Sequence, residues 1–243
     1  MHTETVEYTD GDITCKGYVA YSQPDDEKRP CVIISHAWGG QDDFVREKAN
    51  KLAELGFTAF ALDNYGQGRC GASMDENGKL MQPFMDDRAM LRKRLSAGYM
   101  AAQAHPAVDS ERMAIIGYCF GGLCALDLAR AVPNGLQGAV SFHGLFYPAN
   151  LGAQADIAAK ILILHGFDDP MAPPAEALGI AKELTDAKAD WQLHAYGHTG
   201  HAFTNPAMNM PENGLVFNAT ADKRSWQSMK DFLAEALAWS YSS

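Results

Sequence analysis

Nowhere in these 243 residues does an apolar run approach the roughly 18 consecutive side chains that a membrane-spanning helix requires. Basic side chains are also in short supply: 20 lysines and arginines face 30 aspartates and glutamates, a formal net charge of −10. A chain of that sign repels phosphate backbones, which argues against a nucleic-acid partner unless its cations gather on one surface. They gather only over residues 88–94, directly after Asp86 and Asp87, and that stretch reads as a solvated helix face. Cysteine is scarce too. Cys15, Cys31, Cys70, Cys119 and Cys124 are odd in number and lack the spacing of a disulfide framework, so reduced thiols are expected. Residues 1–12 have neither the basic start nor the apolar centre of an export signal, and the expected location is the cytoplasm.

What is present is ordinary globular material, 47% hydrophobic and 21% charged, which excludes a disordered chain. Residues 6–9 and 13–20 flank Asp10-Gly11-Asp12, a hairpin signal. After a charged turn over 24–30, short apolar runs at 31–35, 57–62, 113–116, 136–143, 161–165 and 191–196 read as strands. Helical patterns separate them: 44–55 behind the cap Asp42-Asp43 and stopped by Gly56, then 85–104, 121–131, 175–187 and 221–239. This alternation implies parallel βαβ units, hence an α/β fold with a doubly wound, mostly parallel sheet of about eight strands flanked by helices. No linker or repeat interrupts it, and one domain over 1–243 is expected.

In such a sheet the ligand site lies at the carboxyl ends of the strands. Nearly every chemically capable residue follows an apolar run: His36, Ala37 and Trp38; Asp63, Asn64 and Tyr65; Cys119; His143; Asp168 and Asp169; His198 and His201. Gly117-Tyr118-Cys119-Phe120-Gly121-Gly122 has the G-x-nucleophile-x-G pattern of a strained strand-to-helix turn, where residues two positions from the nucleophile must lack side chains. The helix start beneath Cys119 favours a thiolate, whereas the other four cysteines read as packing residues. A thiol nucleophile needs a base, and the base an orienting acid. Downstream, Asp168 or Asp169 and then His198 or His201 supply them in the order nucleophile, acid, histidine. An acyl-transfer oxyanion needs two backbone donors; Phe120 offers one, and the loop from His36 to Gly40 the other.

Two further patterns carry less. Gly66-Gln67-Gly68-Arg69-Cys70-Gly71 matches a dinucleotide fingerprint, yet residues 72–78 show no helical apolar period and so offer a phosphate no helix start. His194, His198 and His201 have the ligand spacing of a helix, but Gly197 and Gly200 interrupt them, and no metal is expected.

Taken together and in order, GYCFGG, HGFDDPMAP and GHAFTNP resemble the dienelactone hydrolase family, cysteine-dependent α/β-hydrolases, from about Cys31 to the final helix. The resemblance implies a carboxylic ester hydrolase acting on small esters or lactones, carboxymethylenebutenolidase-like, with Cys119, Asp169 and His201 as its triad. Asp169 is the family's choice because the acid falls four residues before a proline, here Pro173; His201 directly precedes a small residue and phenylalanine. The resemblance places the second oxyanion donor at Ala37. His36, Trp38, Tyr65 and Asn205 are candidates for substrate contact, and Phe84 and Tyr147 for further pocket wall. No cofactor, nucleic-acid partner or membrane is implied, and the chain is expected as a monomer or small homo-oligomer. Well-known members hold a glutamate at the position of His36 and, at that of Asn205, an arginine that grips a substrate carboxylate. A neutral amide cannot form that bidentate pair, so a carboxylate would have to be met by Arg69, Lys79 or Arg88. A thioesterase or other carboxylesterase on the same triad, or a silent binding or sensor protein of this fold, are the alternatives.

Overall fold

The computed structural model describes residues 1–22 and 27–241, so the turn expected over 24–30 lies partly outside the described residues. Strand β1 (His2–Asp10) folds back antiparallel on β2 (Ile13–Tyr21) across a turn in which Gly11 takes φ 59°, the hairpin that the turn residues dictate. Then follow β3 (Arg29–Ser35), β4 (Thr58–Ala61), β5 (Val108–Tyr118), β6 (Leu136–Phe142), β7 (Lys160–Gly166) and β8 (Trp191–Tyr196). They form one eight-stranded sheet in the order β1-β2-β4-β3-β5-β6-β7-β8. Strand β2 runs antiparallel to β4, and every pairing from β4 to β8 is parallel.

The apolar runs of the central strands are buried because they are covered on both faces, and their period of two sorts the side chains into two cores. Cys31, Ile33, Met113, Ile115, Ile161 and Ile163 enter one core, with Leu91 and Leu95 of α3 (Arg88–Gln103), Leu123 and Leu126 of α4 (Phe120–Arg130) and Ile180 of α5 (Pro174–Asp186). Val32, Ile34, Ala114, Ile116, Leu162 and Leu164 enter the other. There they meet Val45, Ala49 and Leu52 of α1 (Asp43–Glu54) and Met229, Phe232 and Leu233 of α6 (Ala219–Ala236). Asp42 caps α1 as expected, accepting from the Val45 N–H at 3.1 Å. A short antiparallel pair, β9 (Asn209–Met210) and β10 (Leu215–Val216), lies between β8 and α6. Among the described residues no helix is long and apolar enough to cross a membrane.

Three expectations need correction. The helix expected over 85–104 is two, α2 (Met74–Asp86) and α3, with Asp87 accepting from the Met90 N–H at 2.8 Å as the cap of α3. A helix therefore does start within 72–78: Ser73 accepts from the Glu76 N–H at 3.2 Å, and Glu76 accepts from the Ala72 N–H at 2.8 Å. Reciprocal capping by the S-x-x-E pattern starts this helix without an apolar stripe in its first turn. Finally, the basic stretch 88–94 is no uniformly solvated face. Arg88 grips both oxygens of Asp127 at 2.8 and 2.6 Å, Arg94 binds Asp10 at 2.9 Å, and all four side chains are buried.

Asp127 also accepts from Arg130 at 2.8 Å, and Arg130 reaches Glu183 of α5 at 2.6 Å. This network fastens the buried helix α4 to α3 and α5. Replacing Asp127 with alanine strands two buried guanidinium edges, a loss of about 3–5 kcal/mol. The expected result of urea unfolding on Asp127→Ala is a lower midpoint at unchanged slope; a loss below about 1 kcal/mol would show that the network is not holding α4.

Candidate active site

Between the end of β5 at Tyr118 and the start of α4 at Phe120, a single residue reverses the chain. Cys119 does so at φ 57°, ψ −117°, a backbone that a residue with a side chain adopts only under strain. The flanking glycines make room for it. A Cβ on Gly117 would lie 1.8 Å from the Gly121 carbonyl oxygen, and one on Gly121 would lie 2.1 Å from the Ser35 carbonyl oxygen. The half-buried thiol therefore sits at the N-cap of α4, where free N–H groups and the helix dipole favour negative charge. Burial, by contrast, pushes the thiols of Cys15, Cys31 and Cys124 up, which leaves them poor nucleophiles at neutral pH.

Strand β7 delivers Asp169 and the loop after β8 delivers His201, each about 1% exposed. Asp169 accepts from the Met171 N–H at 2.8 Å through Oδ1 and from His201 Nδ1 at 2.7 Å through Oδ2. Because a carboxylate only accepts, Nδ1 carries the hydrogen and Nε2 is left free to exchange a proton. The histidine backbone is clamped by the β9–β10 excursion: its N–H donates to the Gly214 carbonyl at 2.8 Å, and its carbonyl accepts from Val216 at 3.2 Å. His201 Nε2 meets no hydrogen-bond partner of good geometry among the described residues. Burial lowers the pKa of this ring, but the charge of Cys119 and the bond to Asp169 outweigh it and raise the value to about 10. Asp168 and His198 stand outside this cluster, both solvent-exposed and 4.0 Å apart.

The other strand-end residues divide by what already holds them. His36 is fully buried; its Nδ1 donates to the Ala37 carbonyl at 2.6 Å and its Nε2 accepts from the Asn64 N–H at 3.2 Å. Burial lowers its pKa, so it is a neutral structural ring with no nitrogen left for thiol or substrate. Tyr65 is fully buried too, its hydroxyl donating to the Trp38 carbonyl at 2.8 Å. Trp38 is half-buried. Asn205 turns its amide oxygen into its own loop, accepting from Ala207 N–H at 3.0 Å. Of the three candidate cations, Arg88 is consumed by Asp127, Lys79 pairs with Asp75 at 2.6 Å, and Arg69 donates to the Gly66 and Tyr65 carbonyls.

One neighbour had no role assigned from sequence. His143, just past β6 at φ 37°, packs its ring edge-on to His201 with centroids 5.1 Å apart, and its Nε2 meets Thr204 Oγ1 at 2.8 Å. Burial and then the His201 charge hold it well below the ordinary histidine range, so it is a neutral floor under a charged ring. Its place after an apolar run was the available signal; its partner Thr204, 61 residues away, was not. A groove of about 870 Å3 between α4, α5 and the loop at 146–155 contains none of Cys119, Asp169 and His201.

These charges predict a spectroscopic outcome. In the wild-type protein the His201 ring should stay protonated through neutral pH and lose its proton only toward pH 10. Cys119→Ala removes the strongest influence raising it, so the NMR titration midpoint should fall by a unit or more, each unit being about 1.36 kcal/mol. A midpoint that does not move would show that Cys119 and His201 are not coupled.

The dienelactone hydrolase family model matches residues 16–237. The carboxymethylenebutenolidase of Pseudomonas putida is 25% identical over 200 residues, 79% of this chain and 80% of that one. A solved structure named m3DLH is 33% identical with a TM-score of 0.91, covering 97% of this chain and 98% of that one. Another, a dienelactone hydrolase-like promiscuous phosphotriesterase from metagenomic libraries, is 34% identical with a TM-score of 0.89 over the same shares. With eight strands in a mostly parallel sheet flanked by helices, the chain belongs to the dienelactone hydrolase family and has its α/β-hydrolase fold.

Proposed function

We propose that this hydrolase cleaves small esters or lactones with Cys119 as nucleophile, His201 as proton carrier and Asp169 as its orienting acid, through a thioester acyl-enzyme. The observation that carries the reading is the buried Asp169–His201 bond, which leaves the other side of the ring to interact with the Cys119 thiol on its strained turn. The thiolate adds to the carbonyl carbon while the oxyanion takes hydrogen bonds from the N–H groups of Phe120 and Ala37. The carbon–oxygen bond to the leaving group then breaks, and the His201 Nε2 proton passes to the departing oxygen. Water gives its proton to Nε2 as it attacks the thioester; the thiolate leaves, and the imidazolium–thiolate pair is restored.

Chemistry limits the substrates of such a pair. A thiol of ordinary pKa near 8.5 is a better leaving group than an alkoxide, so the first tetrahedral adduct tends to fall back. Enol lactones and aryl esters, whose leaving oxygens have low pKa, go forward most readily. The absence of a free cation among Arg69, Lys79 and Arg88, with a neutral amide at Asn205, supports substrates recognised without a carboxylate.

Two measurements test the reading. On an aryl acetate, Cys119→Ala should lose all turnover while Cys124→Ala keeps it, and His201→Ala should lose on the order of a thousandfold where His198→Ala loses far less. Turnover surviving in Cys119→Ala, or the reverse histidine ranking in folded protein, would sink the assignment. An aryl phosphotriester belongs on the same panel, given the name of the solved relative. For recognition, an enol lactone bearing a carboxylate should gain less than tenfold in kcat/KM over its methyl ester. A hundredfold preference for the free acid, about 2.7 kcal/mol, would reveal a cation at work.

A further inference from the structure

The glycine-rich segment 66–71 has no part in the chemistry above, yet it is built with care. The Asp63 carboxylate accepts from the N–H groups of Lys16, Gly66 and Gly68 at 2.9, 2.8 and 2.8 Å, which winds the segment around one buried anion. Arg69 closes the turn by donating to the Gly66 carbonyl at 3.2 Å and to the Tyr65 carbonyl. The far end lies backbone to backbone on the loop that follows β3. The Gly71 N–H donates to the Gly39 carbonyl at 3.0 Å, Gly40 pairs with Cys70 as a β-bridge, and a Cβ on Gly40 would lie 2.6 Å from the Arg69 carbonyl oxygen.

Tyr65 leads into this segment and touches both halves of the proposed oxyanion site. Its hydroxyl donates to the carbonyl of Trp38, the residue after Ala37, at 2.8 Å. Its ring stacks on Phe120 at 15° with centroids 6.1 Å apart, and the buried His36 ring meets it edge-on at 4.7 Å while lying 6.4 Å from Phe120. Burial pushes the phenol pKa up, so the hydroxyl stays a donor.

We infer that Tyr65 is a positioning residue that sets the spacing of the Ala37 and Phe120 N–H groups, and that the segment 66–71 braces it there; this rests on the reading of Cys119 as nucleophile. Such a residue touches no reacting atom. It acts only where the oxyanion forms, so its loss is felt in the transition state and not in substrate binding.

The test compares wild type, Tyr65→Phe and Cys119→Ala on an aryl acetate and on an aryl trifluoromethyl ketone, which forms a tetrahedral oxyanion adduct with a thiolate. Tyr65→Phe keeps the ring stack and loses the hydroxyl. Its kcat should fall about tenfold with KM within twofold of wild type, and its affinity for the ketone should fall by the same factor. Tyr65→Leu, which loses the stack as well, should lose about tenfold more in both. A raised KM at unchanged kcat in Tyr65→Phe would make the residue a pocket wall and overturn the inference. So would wild-type kcat and ketone affinity in Tyr65→Phe beside an inactive Cys119→Ala. Turnover surviving in Cys119→Ala would instead remove the nucleophile reading, and the inference with it.

Discussion

Helix α4 approaches the end of β3 so closely that no side chain fits between them: a Cβ at position 121 would meet the Ser35 carbonyl oxygen at 2.1 Å. The contact puts the first amides of α4 beside the loop that holds Ala37, and it forces the chain at Cys119 into its left-handed turn. Strain of that kind persists only where the surroundings over-determine it, and here they do. The Cys119 N–H is held by the Phe142 carbonyl at 3.0 Å, and its own carbonyl accepts from Gly122 at 2.9 Å. At the opposite end of the same helix, Asp127 and Arg130 lock it to α3 and α5. Steric exclusion fixes one end and buried charge the other, so α4 has little freedom to relax the turn.

Electrostatics near that turn follow from which groups are satisfied. Four buried histidines lie at strand ends; burial lowers the pKa of His36, His143 and His165, and only His201 has its pKa raised. His36 spends both nitrogens on backbone groups, and His143 is kept neutral by burial and by its charged neighbour. His201 alone has a carboxylate on one nitrogen and a thiol near the other, enough to offset the cost of burying an imidazolium. A second cation in so small a volume would oppose the first. The neutrality of His143 therefore belongs to the same balance that keeps His201 protonated.

Much of this site was legible because strand ends are local features. Apolar runs at 31–35, 113–116 and 161–165 located His36, Cys119 and Asp169 at the same edge before any strand order was known. What escaped depended on distant partners. Arg88 and Arg94 look like surface charges until Asp127 and Asp10 arrive, 39 and 84 residues away in sequence. The choice between Asp168 and Asp169 is invisible to composition, because it is burial that separates the pair held at 2.7 Å from the exposed one at 4.0 Å. The partners of His36 are hidden for a related reason: they are main-chain groups of Ala37 and Asn64, which no side-chain pattern announces. The start of α2 is a local signal too, carried by Ser73 and Glu76, because capping begins this helix without an apolar period.

The glycine-rich segment shows why a motif's chemistry must be read from its amides. A G-x-G-x-x-G loop binds phosphate when its N–H groups point into free space in front of a helix. Here a helix does follow, so its absence is not what distinguishes this loop from a dinucleotide site. The amides of Gly66 and Gly68 are already taken by the Asp63 carboxylate, an internal anion seated where an external one would otherwise sit. The start of α2 is likewise occupied by its own Ser73 and Glu76. With its donors satisfied from within, the loop is rigid and closed toward ligands, and its remaining surface is backbone packed against Gly39 and Gly40. The same glycines that would admit a phosphate in another setting here admit a neighbouring main chain.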